Sequence, residues 1–258
     1  YASEIHSFIR KDNGFEYMWQ GDPAYWSGRN PTLFPMVGRT WDGKLHIKGK
    51  KYLIGNHGFT RGSQFTCVHH GPDEIVMELK DNEETLKQYP YHFTMDISYK
   101  LEENRAKITY DIRNDNNEWM PFHFGLHPAF NCPLNLSKTF DDYYIQFEKP
   151  ETFTWKKTTV DHDTRMKLDK DILADTIIMH NPESDTFYLT DGKHGVKVEC
   201  PGFPWVAFWT KRAPFVCIEP WYSHDDMGVV ECEYEEREGT IFLEPQEIWN
   251  VSYVIEIF

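Results

Sequence analysis

The chain of 258 residues carries 41 acidic against 27 basic residues, a formal net charge of −14. That balance repels a phosphate backbone or an anionic membrane unless a local basic patch overrides it, and no run of Lys and Arg supplies one. No apolar run approaches the ~20 residues of a spanning helix, and the first residues lack the order of a signal peptide, so a cytoplasmic protein with neither nucleic-acid nor membrane partner is expected. Cys67, Cys132, Cys200, Cys217 and Cys232 are odd in number and widely spread, which reads as free thiols in a reducing compartment.

In chain order, Asn30–Arg39 (NPTLFPMVGR) is an apolar strand or loop entering a Gly-Arg turn. After the turn signal at Asp42-Gly43 comes Gly55–Arg61 (GNHGFTR), a loop whose glycines bracket His57. Only Asp81–Tyr89 carries a helical pattern, and Pro90 ends it. Tyr91–Leu101, Ala106–Arg113 and Ile248–Phe258 alternate apolar and polar residues and read as strands. In the last of these Trp249, Val251, Tyr253, Ile255 and Ile257 share one face, with Asn250, Ser252 and Glu256 on the other. Trp205–Trp209 and Phe215–Trp221 are two further aromatic strands. The intervals between turn signals are too short for crossover helices, and no repeat or linker divides the chain. The patterning therefore predicts one all-β domain over residues 1–258, built of antiparallel meanders as a large sandwich, with a barrel or a propeller also compatible.

His123–Phe130 (HFGLHPAF) is the first place where composition departs from a plain strand. His127, followed by a Pro that stops ladder pairing, is placed to project into a cleft. A zinc-binding HxxxH helix is not indicated, because Pro128 breaks any helix and no Glu follows His123. As strand residues four apart, His123 and His127 share a face, and one of them can be structural. Glu219, among Cys, Ile, Pro and Trp in Phe215–Trp221 (FVCIEPW), is an acid whose burial raises its pKa toward the range useful for proton transfer. Glu244 sits in a polar turn and ranks lower. Arg39 offers a planar fork of donors suited to vicinal hydroxyls or a carboxylate, with a surface salt bridge as the alternative for Arg39 and more so for Arg29. Trp205, Trp209 and Trp221 are candidate platforms for a pyranose or ordinary core residues. There is no GxGxxG, P-loop or GxSxG, and no Cys/His cluster at zinc spacing.

Taken in order, NPTLFP with Gly38-Arg39, His57-Gly58-Phe59, FGLHPAF around His127, Asp175–Ile178 (DTII) and CIEPW around Glu219 resemble the aldose 1-epimerase (galactose mutarotase) superfamily, most of all its LacX-like branch. The resemblance spans nearly the whole chain. It implies a galactose mutarotase-like β-supersandwich whose concave face holds a small-molecule sugar, with no metal and no cofactor. It further implies that His127 is the general acid and Glu219 the general base, and that Arg39, His57 and Asp175 bind the sugar, with Trp221 beside them. Better-known galactose mutarotases carry longer patterns at the two His segments, so the resemblance does not extend to galactose as the substrate. The expected activity is interconversion of the α and β anomers of an aldohexose. The alternatives are a hexose-6-phosphate 1-epimerase, which needs extra cations such as a cluster of Arg29, Arg39 and Arg61, and a non-catalytic carbohydrate-binding or sensing protein.

Overall fold

A computed structural model describes residues 2–258. A nine-stranded sheet runs, in spatial order, through Thr158–Lys167, Tyr144–Trp155, Thr186–Thr190, Gly195–Glu199, Ile248–Ile257, Arg105–Asn114, Phe93–Glu102, Glu74–Lys80 and Thr66–His70. Against it packs a six-stranded sheet of Thr32–Leu33, Gly125–Leu126, Phe215–Trp221, Trp205–Trp209 and Ile177–His180, with Ala129–Asn131 also pairing to Phe215–Trp221. All pairings between these strands are antiparallel, as short connections demand.

The long alternating runs form strands close to where the sequence puts them: Phe93–Glu102, Arg105–Asn114 and Ile248–Ile257. In the last, Val251, Tyr253, Ile255 and Ile257 are buried and Trp249 packs partly buried on the same core. The predicted helix shrinks to one turn, Glu83–Leu86, started by the Asn82 side chain accepting from the Glu84 and Thr85 amides. Asn82 competes for the backbone before the turn and Pro90 forbids helix after it, so the pattern between them has no room to propagate.

The smaller sheet is covered on both faces, and Phe215–Trp221 is buried along its whole length. Period-two geometry sorts its side chains. Val216 and Ile218 enter the core between the two sheets. Phe215 and Cys217 belong to one outer apolar cluster with Trp19 and Ala129, and Trp221 belongs to another with Leu33, Val37, Ile178, Trp205 and Ala207. Glu219 stands on that outer face between the two clusters, an acid interrupting an otherwise apolar surface. No helix among the described residues is long and apolar enough to cross a membrane.

Candidate active site

Strand register brings the two principal candidates together. Gly125 pairs with Trp221 and Ala129 with Cys217, so residue 127, midway between 125 and 129, falls opposite residue 219, midway between 217 and 221. Pro128 has no amide to give, which interrupts the ladder beside His127, although its carbonyl still accepts from the Ile218 amide at 3.3 Å. The outcome is a cross-strand pair on the outer face, with His127 Nε2 3.3 Å from Glu219 Oε2. His127 is 6 % exposed and Glu219 1 %, and both form part of the wall of a cavity of about 720 Å³.

Aromatic packing fixes the imidazole. Trp26 stacks on it at 4.8 Å and 29°, Trp209 meets it edge-on at 5.4 Å and 90°, and the His57 ring lies at 5.4 Å and 85°. His127 Nδ1, Glu219 Oε1 and Trp221 Nε1 are buried and have no hydrogen-bond partner in the protein. Buried polar atoms normally have partners, so three orphans on one cavity wall mark a place built to receive polar groups. Burial pushes the Glu219 carboxyl well above the usual carboxylate range. It drives His127 well below the usual imidazole range, helped by His57 and the Arg61 guanidinium.

His123 is separated from this site, because the chain leaves the small Met120–Phe122 strand before entering Gly125–Leu126 and the two histidines do not share one strand. The expectation of a common face therefore fails, for want of a continuous strand. His123 is held by the hydroxyls of Ser223 and Thr240, each at 3.0 Å, and is a structural residue.

Two loops, around Gly38-Arg39 and around Asn56–Arg61, form another wall. Gly58 has φ +70°, and a Cβ there would lie 2.1 Å from the Phe34 carbonyl oxygen. Gly38 has φ +67°, and a Cβ there would lie 2.1 Å from Asp225 Cβ. Only glycine meets both demands. Between them the Gly38 amide donates to His57 Nδ1 at 3.0 Å, and the His57 amide donates to the Gly38 carbonyl at 2.6 Å. With Nδ1 accepting, neutral His57 carries its proton on Nε2 and is a fixed donor. Burial, then Arg61 and Arg39, hold its pKa down to about 3, so it stays neutral.

Arg39, Asp175 and Trp221 line the same cavity, as do His57, His127 and Glu219, so the six site residues that the resemblance implies converge there. Arg39 makes no ion pair among the described residues. Asp175 is exposed at the rim, where its carbonyl accepts from Lys156 Nζ at 2.5 Å. Trp209 lines the cavity, whereas Trp205 lies outside it, stacked on His180 at 3.8 Å. Arg29 is elsewhere, its guanidinium packed against Gly21. The exposed Glu244 takes part in a turn.

Sequence reasoning missed Trp26, Trp155, Lys156, Lys211 and Asp225, all on the cavity wall. Trp26 and Asp225 lie in loops with no periodic signal, and nothing local says that they meet His127 and Gly38. Trp155 and Lys156 lie where one strand ends at Trp155 and the next begins at Thr158, in a turn that carries no Gly, Pro, Asn or Asp to mark it. His127, Cys217 and Glu219 also offer three metal-ligand atoms within 4.8 Å of one another. A dication there would have to displace the thiol and carboxyl protons that burial favours, and the His127 nitrogen that second-shell partners usually orient has none.

The family profile described as Aldose 1-epimerase matches residues 3–256. A plasmid-encoded protein LacX of Lactococcus lactis subsp. lactis is 29% identical over 238 residues, covering 83% of this chain and 80% of that protein. Among solved structures, a galactose mutarotase related enzyme from Lactobacillus acidophilus superposes with a TM-score of 0.91 at 30% identity, over 100% of this chain and 92% of that one. A galactose mutarotase-like protein from Lactobacillus casei does so at 0.90 and 26% identity, over 100% and 94%.

Proposed function

The chain belongs to the aldose 1-epimerase family, and from that premise we propose that it interconverts the α and β anomers of a free aldohexose, with Glu219 and His127 as the proton-transferring pair. The observation that carries the reading is their contact at 3.3 Å on the wall of a sugar-sized cavity. In a hemiacetal the anomeric hydroxyl and the ring oxygen sit on the same carbon, so an acid and a base that serve both must converge on neighbouring atoms.

In the free protein burial favours the pair's one proton on Glu219; in the state that reacts this proton sits on His127, and ionised Glu219 takes the proton of the anomeric hydroxyl while His127 gives its own to the ring oxygen. The bond between C1 and the ring oxygen breaks and C1 becomes an aldehyde. Rotation about C1–C2 presents the other carbonyl face, and closure with both transfers reversed returns the protons to their starting places. One proton per pair suffices throughout, and the direct contact lets it sit on either partner. Each positioned group of this kind contributes on the order of 10² to 10⁴ in rate. Arg39 and the Nε2 hydrogen of His57 donate to sugar hydroxyls, the Asp175 carboxylate accepts from them, and Trp26, Trp209 and Trp221 offer apolar surface to the CH face.

Glu219→Gln keeps the shape and removes the base, so anomer exchange followed by polarimetry or saturation-transfer NMR should slow by at least about 10². A variant as fast as the parent refutes the assignment. A sugar that binds in calorimetry while exchange stays at the buffer rate points to a binding or sensing protein instead.

One observation favours a second reading, a hexose 6-phosphate as substrate. Arg39, Arg61, Lys156 and Lys211 all line the cavity, and among the described residues none is paired with a carboxylate. The cluster differs from the expected one, since Arg29 is absent and two lysines take part. Exchange rates for glucose and glucose 6-phosphate, measured side by side, discriminate the two.

A further inference from the structure

The segment after Trp221 contains a buried ion pair that the proton transfers do not use. Asp226 Oδ1 accepts from Arg237 Nη1, with side chains 6 % and 4 % exposed. The other carboxylate oxygen accepts from the Trp41 amide at 2.8 Å, and the Asp226 amide donates to the Arg39 carbonyl at 3.0 Å. One residue thus grips the chain immediately on both sides of Thr40. The neighbouring Asp225 lies against Gly38, whose amide and carbonyl both bond His57. Residues 38–41 are therefore held between His57 on one side and Asp226 on the other.

Arg39 itself is exposed and has no partner among the described residues. A long flexible cation can be aimed at a ligand only through the backbone that carries it, since nothing grips its side chain. A buried ion pair is a poor source of stability, because desolvation offsets the attraction, and such pairs serve better to fix one arrangement. Here the arrangement fixed is the peptide from which Arg39 springs. Two of the Arg237 nitrogens, Nε and Nη2, lack partners, so Arg237 is committed to Asp226.

We propose that Asp226, locked by Arg237, is a positioning residue that sets the Arg39 guanidinium for the sugar. This rests on reading the cavity as an aldose site. Removing one charge would leave the other buried and endanger folding, so the informative variants remove both. In D226N/R237M an oxygen acceptor for the Trp41 amide remains; in D226A/R237M it is gone.

Saturation-transfer exchange across a range of aldose concentrations gives KM and kcat for both. D226A/R237M, which loses both the lock and the acceptor, should raise KM about tenfold with kcat within about twofold of the parent, while D226N/R237M, which loses the lock and keeps the acceptor, should raise KM by less, between the parent and D226A/R237M. In an Arg39→Ala background D226A/R237M should add nothing to KM, since both changes remove the same donor. Additive KM effects, a fall in kcat matching the KM change, or no change at all overturn the proposal. If the parent binds an aldose without exchanging its anomers, the enzymatic reading fails alone and the same cycle is read from calorimetric Kd values. A parent that binds no aldose overturns both.

Discussion

Burial moves the two members of the His127–Glu219 pair in opposite directions, carboxyl up and imidazole down. Between those two displaced values the pair holds a single proton, which is the inventory that anomer exchange needs. As pH falls below the lowered His value, both groups are protonated and the base is lost. As pH rises above the raised Glu value, both are deprotonated and the acid is lost. The exchange rate kcat/KM is therefore expected to be level through the neutral range, without an inflection at the ordinary imidazole value of about 6.5. A polarimetric pH profile that steps there would show that His127 titrates as a solvated group. These two residues were legible because each is chemically out of place, a His before Pro at a strand end and an acid within an apolar run. Trp26 was not, because an aromatic in a loop looks the same whether it stacks on an imidazole or lies on the surface.

At the level of elements, chain geometry at tight turns is the sharpest constraint. Gly43 and Gly58 share nearly the same φ, +71° and +70°, but nothing lies within 4 Å of a Cβ at Gly43, whereas one at Gly58 would meet the Phe34 carbonyl. Gly43→Ala should cost only the conformational penalty of about 1 kcal/mol. Gly58→Ala adds a clash with backbone that no rotamer relieves, and about 3 kcal/mol in total is expected. Urea titration of both variants tests this, and equal losses would show that the loop yields. Long strands such as Arg105–Asn114 could be read because ten alternating residues outweigh local exceptions. Thr32–Leu33 and Gly125–Leu126, two residues each, could not, since their pairing is dictated by distant partners, and these are the pieces that carry the site. The Asp81–Tyr89 helix was read too long because the pattern held while its neighbours forbade propagation.

For the whole molecule, buried titratable groups set opposite limits on stability. His123 is buried neutral with its pKa lowered to about 3 from 6.5. The unfolded chain takes up its proton first, so its contribution is complete above about pH 6.5 and is lost as pH falls toward 3, by up to about 1.4 kcal/mol per pH unit. Glu219 works the other way: its folded pKa is raised from 4.5, so its contribution is present below that value and erodes as pH rises. Glu219→Gln should therefore gain stability over the parent progressively as pH rises above about 4.5, even as it loses activity. Urea unfolding at several pH values measures the difference, and a constant gap would mean that the carboxylate is ionised in the folded state. Overall charge was a poor guide here, because a chain of net −14 gathers four cations around one cavity.

The pairing of Gly125 with Trp221 and Ala129 with Cys217 has an evolutionary corollary. Chemistry fastened to adjoining rungs of a backbone ladder is insulated from the hairpin tips that supply Lys156 and Lys211. Those tips can be lengthened, shortened or recharged without disturbing proton transfer, so grafting them between relatives is a route to retargeting one reaction to new sugars.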